Sequence, residues 1–336
     1  MPFAQPAHPD VTRFDILGIG NAIVDVLAPV PEQFITRHAM RKGGMTLINA
    51  ATAERIYAAM PPAQETSGGS AANTCTVAAG LGARAAYLGR VADDQLGAVF
   101  RHDIAAAGVH FPTEALVGGA PTARSMILVT PDGQRTMNTF LGACVAFGEA
   151  QVDEAAVAAA TVLYLEGYLF DPPAAQAAFR RAASVAHAAG RKVALSLSDP
   201  FCVDRHRAAF RGLVRAHVDI LFANEVEICS LYECDAFADA AGFARREVAL
   251  VALTRSEQGS LVLRGSEAVE IAAEPADVVD TTGAGDAYAA GFLAAWTAGR
   301  GLAACGKLGS IAAAEIIGHY GARLQRDLRE VAATLG

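Results

Sequence analysis

The run Asp280-Thr281-Thr282-Gly283-Ala284-Gly285-Asp286 passes directly into Ala287-Tyr288-Ala289-Ala290-Gly291-Phe292-Leu293-Ala294-Ala295-Trp296, small residues followed by an apolar stretch of helical length. Small residues at 283–285 allow a sharp turn, so the segment predicts a turn opening a helix whose first N–H groups are free. Those groups, with the positive end of the helix, make an anion cradle suited to a phosphate. Asp286 puts a carboxylate at its centre. There it can accept a proton from a hydroxyl while the N–H groups of Gly283, Ala284 and Gly285 stabilise charge on a transferring phosphoryl group. Taken alone, Asp286 could equally complement the helix dipole.

Upstream, Phe14-Asp15-Ile16-Leu17-Gly18-Ile19 alternates as a strand and ends at a glycine-asparagine loop, with Asp25 just beyond. Helical periodicity over 70–81, a short strand at 85–89 and a helix opened by Asp93-Asp94 give a βαβ rhythm. The rhythm returns with strands at 162–165, 192–197 and 219–222 separated by helices at 173–189 and near Arg205. Such alternation predicts an α/β fold with a mostly parallel central sheet covered by helices on both faces. Two segments break it. Residues 26–49 hold Pro29, Pro31 and Gly43-Gly44, and residues 122–140 read as strand, Pro131-Asp132-Gly133 turn, strand. The expected division is therefore a large α/β domain over 12–25, 50–111 and 141–336, with a small β lid over 26–49 and 112–140.

The chain has 336 residues, 53% hydrophobic and 18% charged, with a formal net charge of -8. That is ample material for a packed core. The acidic balance argues against nucleic acid and anionic membrane as partners and favours a small-molecule substrate. Six cysteines without metal-ligand spacing read as reduced thiols, the eight histidines form no ligand cluster, and no signal or membrane-spanning segment is evident. The expected compartment is the cytoplasm, and residues 1–11 read as a frayed leader.

Four motifs stand in a telling order: Gly18-Ile19-Gly20-Asn21 leading to Asp25, Ser67-Gly68-Gly69-Ser70-Ala71-Ala72-Asn73, Asn224-Glu225-Val226-Glu227, and the 280–286 run. Together they resemble the ribokinase-like, or PfkB, carbohydrate kinases along most of the chain. The resemblance implies ATP-dependent phosphorylation of an alcohol, Mg²⁺, possible use of K⁺, and a lid that closes over the acceptor and sometimes pairs two subunits into a homodimer. It assigns Asp286 as base, with Gly283, Ala284 and Gly285 as anion hole. Asp25, Gly68, Gly69 and Asn73 fall at acceptor-binding positions, and Glu166 at an acidic position near phosphates and acceptor, though a solvated strand-end carboxylate fits it too. Arg135, after the lid turn, either neutralises phosphate as the lid closes or is an ordinary hairpin arginine.

For the nucleotide and its metal, the resemblance offers Asn224, Thr254 and Gly259, Glu227 reaching Mg²⁺ through water, and Asp280 with Thr282 beside a monovalent cation. Asn224 and Glu227 also read as a helix capping box, and both roles are compatible. Ser256 replaces a usual glycine in the Thr254 turn. Within the family, the Gly18–Asn21 loop, Ser70 and Ser198-Asp199-Pro200-Phe201 look most like bacterial adenosine kinase-like members, with Phe170 as a base-stacking candidate. The expected reaction is phosphorylation of a primary hydroxyl, of adenosine or, alternatively, of ribose, fructose or a related sugar. A dinucleotide oxidoreductase lacks its third glycine after the first strand, and a non-catalytic sensor has no need of Asp286.

Overall fold

The computed structural model describes residues 12–335, so the leader expected at 1–11 lies outside the described residues. Fourteen strands form two sheets: β1 (Phe14–Ile19), β2 (Ile23–Pro29), β3 (Met45–Leu47), β4 (Gln64–Gly68), β5 (Ala85–Leu88), β6 (Val109–His110), β7 (Ala123–Val129), β8 (Arg135–Phe140), β9 (Ala160–Glu166), β10 (Lys192–Ser196), β11 (Ile220–Asn224), β12 (Leu250–Thr254), β13 (Ser260–Arg264) and β14 (Glu267–Ile271). The larger sheet has nine strands in the order β14-β13-β12-β11-β10-β9-β1-β5-β6. It is parallel from β12 through to β6, and β13 and β14 add an antiparallel edge.

Its strands read as nearly continuous apolar runs because both faces are covered. Successive residues still divide between them: Leu17, Leu163 and Leu165 join Phe170, Phe179 and Phe210 on one face, while Ile16 and Tyr164 join Phe222, Tyr288 and Phe292 on the other. Strand order reverses at β1, which sits between β9 and β5. In open α/β sheets the crevice beyond the strand ends at such a reversal is where ligands bind. The ends of β1, β9, β11 and β12 deliver Asn21, Glu166, Asn224 and Thr254 to this edge.

The smaller sheet runs β3-β8-β7-β2-β4. Residues 122–140 form the expected hairpin, β7 antiparallel to β8. The smaller sheet reaches beyond the segments expected for the lid, because β4 pairs antiparallel with β2, Thr66 opposite Asp25, and the helix Ala50–Ala59 packs on β7 and β8. Gln64-Glu65-Thr66-Ser67-Gly68 has no apolar alternation to mark it as a strand. Asp25 itself lies on lid strand β2. No helix among the described residues is long and apolar enough to cross a membrane.

Candidate active site

Gly283 caps the helix Ala284–Thr297 with φ +80°, and a Cβ there would come within 2.9 Å of Ala322 Cβ, so the turn requires glycine. No side chain caps this helix; Ala284 N donates to the Thr281 carbonyl at 3.2 Å, and Asp286 lies in the first turn. A Cβ at Gly285 would meet no atom within 4 Å, so the mouth of the turn is open. The Ser70 hydroxyl donates to Asp286 Oδ1 at 2.6 Å, and Asn73 Nδ2 faces Oδ2 at 3.5 Å. Withdrawal from water raises the Asp286 pKa to about 6, against the pull of those two donors. It is still mostly ionised at neutral pH and fit to accept a proton.

The helix Ser70–Gly80 brings Ser70 and Asn73 to this carboxylate. Its cap, Gly69, has φ +97°, and a Cβ there would strike the Asn21 carbonyl oxygen at 2.0 Å. Asp25 lies across Gly68, whose added Cβ would meet its Oδ2 at 2.3 Å. Burial lifts the Asp25 pKa to about 6; Arg323 and Arg135 pull it down and Asp286 pushes it up. Asp25, Gly68, Gly69, Asn73 and Asp286 thus come together in the structure.

Glu166 converges too, but its oxygens face protein. Oε1 accepts from Asn21 N at 3.1 Å and Asn21 Nδ2 at 3.0 Å, and Oε2 accepts from Ala71 N at 2.7 Å. It is 1% exposed, and burial raises its pKa to about 7. The carboxylate ties the loop after β1 to the start of the Ser70–Gly80 helix. It holds the site rather than facing it.

Phe170 corrects an expectation. It is fully buried, stacked on Phe210 with ring centroids 4.4 Å apart, and packed against Phe179. No base can reach it. The 3₁₀ turn Gly167–Phe170 points Phe170 into the core and leaves Tyr168, two residues earlier, 38% exposed. Arg135 is neither solvated nor free: its Nη1 pairs with Asp280 Oδ2 at 2.6 Å, both side chains under a tenth exposed, and its guanidinium lies over Tyr320. The pair joins strand β8 of the smaller sheet to the segment that precedes the Ala284–Thr297 helix. Asp280 Oδ1 also accepts from Thr282 N at 3.2 Å. With its charge already balanced by Arg135, Asp280 does not fit a monovalent-cation ligand in this arrangement.

Asn224 and Thr254 sit side by side in register at the ends of β11 and β12. Asn224 and Glu227 form the full capping box: Glu227 N donates to Asn224 Oδ1 at 2.8 Å, while Asn224 N and Nδ2 donate to Glu227 at 2.9 and 2.7 Å. Burial, with Asp199 and Asp286 nearby, raises the Glu227 pKa to about 7. Among the described residues no Lys or Arg pairs with Glu227 or Asp286, and no three His, Cys, Asp or Glu side chains are set to hold a metal directly. Uncompensated carboxylates without a direct cage fit a hydrated Mg²⁺ carried by a nucleotide. In the Thr254 turn, Ser256 takes φ +50° and Gly259 φ +79°, so the turn survives the serine. A Cβ at Gly259 would hit Ile271 O at 1.9 Å, which makes this glycine a shaper of the turn.

In the sequence Ser70 stands out only as a family marker, as does Asn21 within its glycine loop, and Arg323 does not stand out at all. The first was findable from its place just before Asn73 at a helix start. Arg323 carries no local signal, its partners lying about 250 residues away.

A profile described as pfkB family carbohydrate kinase matches residues 49–328. The structure is similar to that of adenosine kinase from Sinorhizobium meliloti, with 52% identity over 96% of this chain and 100% of the other and a TM-score of 0.88. A probable sugar kinase protein from Rhizobium etli CFN 42 is similar at 49% identity over 97% of this chain and 100% of the other, TM-score 0.89. An ATP-dependent ribose-1-phosphate kinase from Halopiger xanaduensis is 32% identical over 69% of this chain and 74% of its own.

Proposed function

The chain belongs to the pfkB family of carbohydrate kinases and is a phosphotransferase, and on that premise we propose that it transfers the γ-phosphoryl group of ATP to the primary hydroxyl of adenosine. The observation that carries the reading is Asp286, set in the first turn of a helix without a side-chain cap and flanked by Ser70, Asn73 and Asp25. Asp25 and the Asn73 amide orient the acceptor's other hydroxyls. Asp286 takes the proton of the primary hydroxyl as its oxygen bonds to the γ-phosphorus and the bond to the ADP oxygen breaks. The N–H groups at Gly283–Gly285 stabilise the charge spread over the transferring group. Glu227 would hold the Mg²⁺ that comes with ATP through water, and the ion would supply charge neutralisation of the phosphates.

Arg135 leaves Nε and Nη2 buried without a hydrogen-bond partner close to Asp25. That favours a second reading, a sugar or sugar phosphate as acceptor, now that Phe170 offers no stacking face. Six unpaired thiols support a reducing, cytoplasmic setting. Met45 and Leu47, exposed on lid edge strand β3, are where two lids would pair in a homodimer. The test is ADP formation from Mg²⁺-ATP with adenosine, inosine, cytidine, ribose, ribose 1-phosphate and fructose. Adenosine is expected to give the highest kcat/KM and to yield its 5′-monophosphate; a wide margin for ribose or ribose 1-phosphate establishes the second reading, and no turnover with any acceptor overturns both.

A further inference from the structure

Arg323 lies beyond the last long helix, Leu302–Ile317, yet its guanidinium sits beneath the acceptor cluster. Nη1 donates to Asn73 Oδ1 at 2.9 Å. Nη2 donates to the Ser67 carbonyl and, at 2.7 Å, to Ser67 Oγ. Ser67 N and Oγ in turn donate to Asp103 Oδ2 at 2.7 and 2.6 Å, and Asp103 faces Arg323 at 3.5 Å. Ser67 pairs with Val24 across the lid sheet, one step from Asp25. One side chain therefore joins the C-terminal segment, the lid strand that leads into Gly68-Gly69, and Asn73.

We infer that Arg323 is the positioning residue for the acceptor: it fixes which end of the Asn73 amide faces Asp286 and anchors the strand beside Asp25. The two ends of an asparagine amide have nearly the same shape and opposite hydrogen-bonding sense. Arginine has only donors, so the amide oxygen must turn to Arg323 and the NH₂ group to the base. The reverse orientation would set a carbonyl oxygen against a carboxylate and leave Arg323 facing NH₂. A lysine has no planar fork to hold Asn73 and Ser67 together. The charged groups facing Asp25 are Arg323, Arg135 and Asp286, and both arginines favour its ionised form, Arg323 the more strongly.

The inference rests on Asp25 and Asn73 binding the acceptor, and the test separates the two claims. Arg323→Lys and Arg323→Gln are made in the wild-type and Asn73→Ala backgrounds, with adenosine and Mg²⁺-ATP, following kcat and KM for each substrate, the pH profile and Tm. Arg323→Lys is expected to lower adenosine kcat/KM about 10- to 100-fold, with ATP KM unchanged. In the Asn73→Ala background the same change should cost at least about threefold less than in wild type, because one of the two groups it acts through is gone while the Ser67 contact remains. Arg323→Gln should also shift the acid limb of adenosine kcat/KM to higher pH. Wild-type kinetics in Arg323→Lys, an equal loss in both backgrounds, or an Arg323→Lys protein that does not fold overturns the inference. If wild type uses ribose or ribose 1-phosphate in place of adenosine, the cycle is run on that acceptor; no turnover with any acceptor overturns both claims.

Discussion

The Ser70 hydroxyl donates to Asp286 Oδ1 at 2.6 Å, joining the first turns of two helices 216 residues apart in sequence. One carboxylate oxygen is thereby oriented by Ser70, and the other faces Asn73 Nδ2 at 3.5 Å. A hydrogen bond to the charged form lowers a carboxylate's pKa, so removing it raises that of Asp286. Ser70→Ala is expected to move the acid limb of the pH–rate profile upward and lower kcat about tenfold. An unmoved limb would separate Ser70 from the base.

Stability and activity should run in opposite directions with pH. Asp25 and Asp286 are raised from 3.8 to about 6, and Glu166 and Glu227 from 4.5 to about 7. Between the unfolded and folded values the native state binds more protons than the unfolded chain, so these four groups lose stability as pH rises from about 4 to 7. The lowered carboxylates Asp15, Asp94 and Asp219 lose theirs only below the ordinary Asp value of 3.8. Tm is therefore expected to be higher at pH 5.5 than at 7.5, while kcat/KM rises with an apparent pKa near 6 that belongs to the coupled Asp25–Asp286 pair. Differential scanning fluorimetry beside the kinetic profile checks both signs.

Phe170 belongs to the core. Phe170→Ala should cost about 3–5 kcal/mol in urea unfolding, and Phe170→Leu should fold and keep the wild-type preference between adenosine and ribose. A selectivity change in Phe170→Leu without loss of stability would return the residue to the substrate.

The 280–286 turn, the parallel sheet and the β7–β8 hairpin were legible because each rests on local signals: a glycine at a positive-φ cap, apolar runs, a Pro-Asp-Gly turn. Strand β4 was not, since a polar segment becomes a strand only by pairing with β2. Phe170 was misread because two residues along a 3₁₀ turn separate the exposed Tyr168 from a buried ring. Arg135 and Asp280 were each singled out, but their pairing belongs to the lid's docked position, which no local pattern carries. Arg323 depends wholly on distant partners.

Glu227 has no basic partner among the described residues; its carboxylate accepts from Asn224 N and Nδ2, with Asp199 and Asp286 nearby. Glu227→Gln removes that charge while keeping an acceptor for the Asn224 cap. The Mg²⁺ concentration for half-maximal rate should rise about tenfold with adenosine KM unchanged. A Mg²⁺ titration matching wild type would confine Glu227 to its cap.

The central claim is that Asp286 is the base, and the most direct measurement is steady-state turnover of Asp286→Asn with adenosine and Mg²⁺-ATP. The amide keeps the size of the side chain and its place in the helix but cannot take the hydroxyl proton. A fall in kcat of about 10²–10⁴-fold is predicted, with the KM values for ATP and adenosine close to wild type. Turnover near the wild-type rate would contradict it.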